Sequence, residues 1–222
     1  MSKADSDRGE HKLSRASVGR FSLYLRHLER LHREGTATVS SSLLGEALAI
    51  TDAQVRKDLA YLGNLGQPGI GYPTQELIEA LRHRLGTDRT WKAVVVGAGN
   101  LARALLRYRG FERQGFHFVA LFDSSAEKVG QIVEGLEVLP TAKMAEALPA
   151  LGAELGVLAV PAEAAQEVAD ELTAAGIRGI LNFAPTVLRL PTGISLVAVD
   201  LAVQLEQLAF LVHLSQETGD TR

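Results

Sequence analysis

Apolar residues in the first third of the chain recur at the spacing of a helix. Four of them lie three or four positions apart: Val18, Phe21, Leu25 and Leu28. This period places them on one face of an α-helix, which we predict to begin at Ser17. Gly35 is a typical residue for its end, because glycine readily adopts the left-handed conformation that closes many helices.

Two shorter helices are predicted to follow, separated by a brief turn. Leu43–Leu48 forms the first of them. The second begins at Thr51, because Thr51 and Gln54 have the spacing of a capping box, and it extends to about Leu62. Two such helices joined by a turn of three or four residues predict a helix-turn-helix.

Glycine is concentrated directly after these helices. Within nine residues the chain has four glycines, Gly63, Gly66, Gly69 and Gly71, together with Pro68. This composition excludes a helix and favours two short extended segments around a tight turn, which is the structure of a wing. A further helix is predicted over Thr74–Leu85, ended by Gly86. We therefore predict a winged helix-turn-helix domain over residues 14–86.

The remainder of the chain alternates strand-like and helix-like segments. The strand-like runs are Ala93–Val96, Phe118–Phe122, Val157–Val160, Ile180–Phe183 and Leu196–Val199. The helical patterns are Leu101–Tyr108, Lys143–Leu151 and Ala162–Ala175. This alternation predicts an α/β domain with a Rossmann-type parallel sheet over residues 87–200, covered by helices on both faces. Its length leaves no room for a separate substrate domain.

The last helical segment, Leu201–Leu214, is apolar around most of its circumference, and Glu206 is its one formally charged residue. A helix that packs only on its own sheet needs a single apolar face. We therefore predict a C-terminal dimerisation helix over residues 201–218, exchanged between two protomers.

Composition narrows the class of protein. Hydrophobic residues make up 46% and charged residues 22% of the chain, as in ordinary globular proteins. No apolar run reaches the roughly 18 residues of a membrane span, and the polar first residues do not resemble a secretory signal. Residues 1–13 have no apolar period, which predicts a disordered tail. Cysteine is absent, which excludes thiolate metal sites and thiol redox sensing. These features predict a cytoplasmic protein without a metal or a membrane partner.

The two halves of the chain differ in net charge. Residues 1–91 have 13 Lys and Arg against 11 Asp and Glu, a net of +2, and residues 92–222 have 10 against 15, a net of −5.

Within the second short helix, Gln54, Arg56 and Lys57 occupy the first two turns, from which a recognition helix reaches base edges. Ser40 and Ser41 can offer hydroxyls to phosphate. The alternative interpretation is an ordinary solvated helix face.

A dinucleotide fingerprint follows the first strand of the second domain. Its G-x-G-x-x-A pattern consists of Gly97, Ala98, Gly99, Asn100, Leu101 and Ala102. Gly97 allows a tight turn, Gly99 lets the backbone approach a pyrophosphate, and Ala102 lets the helix pack closely. Asp123 ends the next strand and is placed to accept hydrogen bonds from ribose hydroxyls, which favours NAD(H) over NADP(H). A turn without a ligand and a coenzyme A site are the alternatives.

Several blocks of the sequence resemble the Rex family of redox-sensing repressors. They are Gln54–Leu59, Tyr61–Gly63, Gly69–Tyr72, Tyr108–Phe111, Gly179–Pro185 and Val199–Leu201, and the resemblance covers about residues 14–215. It implies a homodimer that binds an AT-rich inverted repeat of operator DNA and is released when NADH replaces NAD⁺. By position it implies that Arg56 and Lys57 are the principal DNA contacts and that Tyr72, in the wing block, also contacts DNA.

The resemblance also implies that five further residues lie along the cofactor cleft, namely Val160, Pro161, Phe183, Ala184 and Pro185. It further implies a switch in which Asp200 pairs with Arg26 in the DNA-binding state and with Tyr108 of the other subunit in the NADH state. From the residues alone, Asp200 is equally an N-cap for the last helix. Arg26 can equally be a surface residue, and Tyr108 a packing residue.

Two departures from the family pattern bear on these expectations. Pro68 stands where a basic residue is common at the wing tip, which should remove one minor-groove contact and weaken the preference for A·T there. Ser125 replaces a second acidic residue after Asp123, so ribose contacts are expected to be fewer.

Two other classes of protein remain open. An NAD-dependent dehydrogenase would need an acid-base group at its substrate, yet only His117 and His213 of the six histidines lie in the second half. A coenzyme A-binding subunit of a ligase would use the same glycine turn.

Overall fold

The computed structural model describes residues 13–219, and the chain divides between Arg89 and Thr90 into two compact units. The predicted disordered tail, residues 1–13, lies outside the described residues except for Leu13.

The first unit is mainly helical. Its helices are α1 (Arg15–Arg33), α2 (Ser41–Leu48), α3 (Asp52–Leu59) and α4 (Thr74–Leu85), and its strands are β1 (Thr38–Val39) and β2 (Tyr72–Pro73). Helix α1 begins two residues earlier than predicted, because the Ser14 hydroxyl accepts from the Ser17 amide at 3.1 Å and caps the helix there. Helix α3 ends at Leu59, and one 3₁₀ turn continues the chain to Leu62.

One apolar core joins the helices of this unit. Helix α1 buries Phe21, Tyr24, Leu25 and Leu28 against α3 and α4, including Val55 and Leu77. The sequence pattern pointed to Val18, but this side chain is 41% exposed and Tyr24 is fully buried instead. Full burial of one such apolar side chain contributes about 1.5–3 kcal/mol, so this core fixes the orientation of α3.

The glycine-rich segment forms a wing that differs in detail from the prediction. Gln67 and Gly71 exchange backbone hydrogen bonds of 2.8 and 2.9 Å around a turn that contains Pro68. The following strand, β2, pairs with β1 and not with the other arm of the wing. Gly71 has a φ of +99°, and a Cβ there would lie 2.5 Å from the Val39 carbonyl oxygen, so this close approach requires glycine.

The second unit is a seven-stranded sheet with helices. Its strands are β3 (Trp91–Val96), β4 (Phe116–Asp123), β5 (Ile132–Val133), β6 (Leu136–Pro140), β7 (Leu155–Leu158), β8 (Gly179–Asn182) and β9 (Ser195–Ala198). Its helices are α5 (Asn100–Arg107), α6 (Gly110–Arg113), α7 (Met144–Leu151), α8 (Ala162–Ala174) and α9 (Leu201–Gly219).

The strand order is β5-β6-β4-β3-β7-β8-β9, with every neighbouring pair parallel except β5 and β6. Without β5, this is the 3-2-1-4-5-6 order of a Rossmann fold, and the predicted fold class is confirmed. The hairpin of β5 and β6 was not predicted, because β5 has only two residues. Strand β7 ends two residues before the predicted Val160, where the chain turns into α8 at Pro161.

Helix α9 completes the second unit, and its side chains from Leu201 to Gln216 are exposed. In the part of the chain that the structure describes, no helix has the length and apolar character needed to cross a membrane. No group of three or more metal-ligating side chains is found within residues 13–219.

Candidate nucleotide crevice and DNA-reading surface

Helix α3 is anchored on one side and open on the other. Val55 and Leu59 are buried in the core of the first unit, whereas Arg56 and Lys57 are exposed. The pattern of buried and basic positions therefore directs two cations outward from a helix whose other face is fixed. This is the arrangement that a recognition helix requires.

Arg56 is held by neighbouring polar groups. Its Nη1 donates to Asp52 Oδ2 at 2.7 Å and to Ser41 Oγ at 3.2 Å, and so connects α3 to the start of α2. The hydrogen bond from Arg56 lowers the pKa of Asp52. Both side chains of this pair are about half exposed, and such pairs contribute little to stability. A phosphate or a base can therefore replace Asp52 as the partner of Arg56.

Gln54 is only partly exposed, because it faces a buried carboxylate one turn along α3. Gln54 Nε2 donates to Asp58 Oδ1 at 2.9 Å. Asp58 also accepts from Arg20 and from the Tyr24 hydroxyl, both on α1. Burial acts to raise the pKa of Asp58, but these hydrogen bonds outweigh it and the pKa lies below its usual value. This cluster was not predicted from the sequence, because its residues are up to 38 positions apart.

The remaining residues predicted to face DNA have varied surroundings. Ser40 is exposed and caps α2, with its hydroxyl accepting from the Leu43 amide at 3.1 Å. Ser41 lies beside Arg56, as described above. Tyr72 is partly buried and packs against the core of the first unit from strand β2.

A crevice of about 790 Å³ opens in the second unit at the carboxyl ends of β3 and β7. Strand order reverses between these two strands, and such a switch point is where open α/β sheets bind ligands. Its volume lies within the usual range of cofactor sites, about 300–1,000 Å³. Five of the predicted cofactor residues line it: Gly97, Gly99, Asp123, Val160 and Pro161.

The turn between β3 and α5 fits a pyrophosphate. Gly97 has a φ of +101°, and a Cβ there would lie 2.4 Å from the Ala159 carbonyl oxygen. A Cβ at Gly99 would meet no protein atom within 4 Å, so glycine leaves open space beside the backbone. No side chain of the described residues caps the start of α5. Its first amide groups are therefore free to bind an anion.

Asp123 ends β4 at the side of this turn and is 7% exposed. Its carboxylate accepts from the amides of Ala98 and Ser125 at 2.7 and 2.8 Å, and from Lys128 Nζ at 2.9 Å. Burial acts to raise the pKa of Asp123, but the bonds from Ser125, Lys128 and Ala98 more than offset it and the pKa is lowered. The carboxylate is therefore an ionised acceptor at neutral pH.

Several residues that line the crevice were not identified from the sequence, namely Lys128, Thr141, Glu167 and Glu171. Lys128 lies five positions after Asp123, and no motif in the sequence marks it as a residue of the crevice. Glu167 and Glu171 are four residues apart on α8. This spacing gives them one helix face, but the sequence alone does not show that the face lines a crevice.

Other residues assigned to the cofactor do not line the crevice. The Ala98 amide donates its hydrogen bond to Asp123. Asn100, Leu101 and Ala102 form the first turn of α5, and Ala102 is fully buried. Phe183, Ala184 and Pro185 form the loop after β8. Asn182 shapes this loop, because its side chain accepts from the Ala184 amide and donates to the carbonyl oxygens of Ala184 and Thr186.

The three residues assigned to the switch lie in different elements. Arg26 is exposed on α1 in the first unit. Tyr108 follows α5, is 58% exposed, and stacks edge-on against Phe111 at 5.1 Å between ring centroids. Asp200 caps α9, with Oδ1 accepting from the amides of Ala202 and Val203 at 2.9 and 3.2 Å. The capping role is thus present, and the pairing of Asp200 with Arg26 or Tyr108 stays a prediction.

Comparison with known proteins identifies relatives over most of the chain. A family model described as a putative DNA-binding protein N-terminus matches residues 12–60, and one described as a CoA binding domain matches residues 88–186. A redox-sensing transcriptional repressor Rex of Carboxydothermus hydrogenoformans is 48% identical, over 91% of this chain and 97% of the relative. That of Streptomyces coelicolor is 42% identical, over 92% and 79%.

Solved structures agree with these sequence relatives. The crystal structure of RSP in complex with β-NAD⁺ and operator DNA has a TM-score of 0.87 and 32% identity, covering 95% of this chain and 99% of RSP. The complex of RSP with β-NADH has a TM-score of 0.85 and 30% identity at the same coverage. On this sequence identity, coverage and shared fold, the chain belongs to the Rex family of redox-sensing transcriptional repressors.

Proposed function

We propose that this chain is a repressor that binds operator DNA through α3 and its wing, and that leaves the DNA when NADH replaces NAD⁺ in the crevice of the second unit. As a regulator of transcription it would act in the cytoplasm. The relatives named above are repressors, and RSP has been crystallised with operator DNA, with NAD⁺ and with NADH.

One observation carries this proposal: a single chain has both a basic helix on a fixed scaffold and a dinucleotide crevice at the switch point of a Rossmann sheet. Arg56 and Lys57 supply the exposed cations for DNA. Gly97, Gly99 and Asp123 supply the turn and the acceptor that a dinucleotide requires. When bound, the nicotinamide supplies the redox state that is sensed, and the residues of this chain bind and orient it.

We assign the homodimer contact to α9. Its exposed side chains include Leu205, Leu208, Phe210 and Leu211, each more than half exposed. An exposed apolar surface of this extent is typical of a subunit interface. Because a two-fold dimer presents two identical heads, its operator is expected to be an inverted repeat, AT-rich as in the family.

Fluorescence anisotropy of a labelled operator duplex tests the proposal. We expect the protein to bind with NAD⁺ present and to dissociate as NADH is titrated at fixed NAD⁺. Equal affinity for DNA in both redox states of the nucleotide would contradict the sensing role.

A second set of titrations separates the alternatives. The match to a CoA binding domain model makes coenzyme A the serious rival for the crevice, so NADH must bind more tightly than coenzyme A in a competition assay. A dehydrogenase would instead oxidise NADH with a small carbonyl compound, and we expect no such turnover.

A further inference from the structure

The buried cluster around Asp58 joins two elements of the first unit through one carboxylate. Asp58 lies on α3 and is 1% exposed. Oδ1 accepts from Arg20 Nη2 at 2.7 Å and from Gln54 Nε2 at 2.9 Å. Oδ2 accepts from Arg20 Nε and from the Tyr24 hydroxyl at 2.9 Å. Four donors therefore occupy the roughly four lone-pair sites that an ionised carboxylate offers.

This saturation fixes which atom of the Gln54 amide faces inward. An ionised carboxylate only accepts hydrogen bonds, so the group directed to Asp58 must be the amide NH₂ and not its carbonyl oxygen. Within the described residues no hydrogen bond uses Gln54 Oε1. The amide of Gln54, a partly exposed residue, is therefore left with one N–H and its carbonyl oxygen for a ligand.

A donor and an acceptor side by side match one base in particular. In the major groove adenine offers the N7 acceptor and the N6 amino donor, whereas guanine offers two acceptors, N7 and O6. A Gln54 amide turned the other way would expose two N–H donors and would favour guanine.

We propose that Asp58 is a positioning residue that determines base preference, because it holds Gln54 in the orientation that selects adenine over guanine. The inference rests on the proposed base-reading role of α3. The same hydrogen bonds imply that α3 follows any movement of α1, because Arg20 and Tyr24 of α1 both donate to the Asp58 carboxylate.

Selection of duplexes from a random library by the chain of 222 residues tests this proposal, with three single variants beside the wild type. Gln54→Ala should lose the preference for adenine at one position of each half-site, by about tenfold. Asp58→Asn should show the same loss. Tyr24→Phe is the matched control, because it removes a donor to Oδ2 and leaves the bond to Gln54 intact, so it should keep the wild-type preference.

The outcomes decide between positioning and mere stabilisation. If Asp58→Asn retains the adenine preference of the wild type, or if Gln54→Ala alters no position, the proposal is wrong. The same holds if Tyr24→Phe alters base preference as much as Asp58→Asn, because the effect would then be a general loosening. Release by NADH is measured in parallel, so failure of the sensing role is recognised separately.

Modified DNA gives a test that does not depend on the folding of Asp58→Asn. Adenine at the selected position is replaced by purine, which lacks the N6 amino group, or by 7-deazaadenine, which lacks N7. Each change should weaken wild-type binding about tenfold and leave Gln54→Ala unaffected. Wild-type binding that tolerates both analogues would overturn the proposal.

Discussion

Asp58 and Asp123 are the two buried carboxylates among the described residues, and each is ionised by the hydrogen bonds around it. Asp58 connects α3 to α1, and Asp123 connects the β3–α5 turn to the end of β4. In both cases the donors lower the pKa although burial opposes them. Each carboxylate therefore stabilises the fold only while it is charged.

The lowered pKa of Asp58 predicts how the first unit responds to acid. The unfolded chain, with a carboxyl pKa of about 3.9, binds this proton more readily than the folded chain. Stability from Asp58 is thus complete above about pH 4–5 and is lost as the pH falls through the lower folded pKa. Thermal melts between pH 7 and 2.5 should show a shallower acid decline in Asp58→Asn, which is already less stable at pH 7.

Gln54→Ala is the control for this measurement, because it keeps the carboxyl group and should largely keep the acid decline. Parallel stability curves for wild type and Asp58→Asn would show that Asp58 does not titrate with folding.

Removal of the Arg56 and Lys57 side chains is expected to abolish DNA binding without unfolding the protein. Both side chains are exposed, so Arg56→Ala combined with Lys57→Ala should leave the melting temperature within a few degrees of wild type. Operator binding should fall below detection, whereas NADH affinity should not change. Anisotropy and nucleotide fluorescence measure the two properties separately.

Arg84→Ala is the matched control, since Arg84 is an exposed cation in the last turn of α4, roughly 15 Å from the wing strand that precedes this helix. Unchanged operator affinity in the double variant would remove α3 from the DNA contact.

In the turn from β3 to α5, contacts within the protein require one glycine, and space for a ligand requires the other. A Cβ at Gly97 would collide with the Ala159 carbonyl oxygen, so a substitution there damages the fold itself. A Cβ at Gly99 would meet only open space. The two glycines thus have different reasons to be glycine, although they belong to one motif.

Gly99→Ala should therefore fold normally and bind NADH at least tenfold more weakly, because its methyl group occupies the space that a pyrophosphate needs. Such a variant should stay on the operator at NADH concentrations that release the wild type. Gly19→Ala, which also faces open space but lies in α1, should not affect NADH affinity. Wild-type affinity in Gly99→Ala would contradict the placement of the pyrophosphate.

Helix α9 predicts the oligomeric state. Leu208→Glu combined with Leu211→Glu places two charges on its apolar surface, and each buried leucine is worth about 1.5–3 kcal/mol to an interface. Light scattering should show a monomer, and operator affinity should fall with it. Gln204→Glu combined with Gln207→Glu adds the same charge at polar positions and should leave the dimer intact. A dimeric leucine variant would exclude α9 from the interface.

In the whole molecule, periodic patterns predicted the fold class, whereas long-range polar contacts could not be predicted. Apolar runs predicted β3, β4 and β7 because their residues are buried in a parallel sheet, but two-residue strands such as β5 have no period to detect. Gln54 and Asp58 are four residues apart, but the other two partners of Asp58, Arg20 and Tyr24, are brought near only by folding. The assignment of Phe183 and Pro185 to the cofactor came from resemblance and stays a prediction.

Coupling between the two units is the property that the proposed function requires. A shift from 99:1 to 1:99 between DNA-bound and released states takes about 5.5 kcal/mol of differential affinity. Two nucleotides in a dimer supply this if each contributes about half. The proposed route passes through Tyr108, which is 58% exposed and stacks edge-on against Phe111.

Tyr108→Phe should leave operator affinity in NAD⁺ unchanged and raise the NADH concentration needed for release by about tenfold or more, because it removes one hydrogen bond to a charged group. NADH affinity, measured by fluorescence without DNA, serves as the control and should stay near the wild-type value. Unaltered release by NADH would exclude Tyr108 from the coupling.

The hydrogen bond from the Ala98 amide to Asp123 bears on how the protein discriminates between NAD⁺ and NADH. It holds the glycine turn in shape before any nucleotide arrives, so this part of the crevice is preorganised equally for oxidised and reduced dinucleotide. Adenosine and pyrophosphate are identical in both forms. Changes at Asp123 should therefore scale the two dissociation constants together, and their ratio must be set elsewhere, beside the nicotinamide ring.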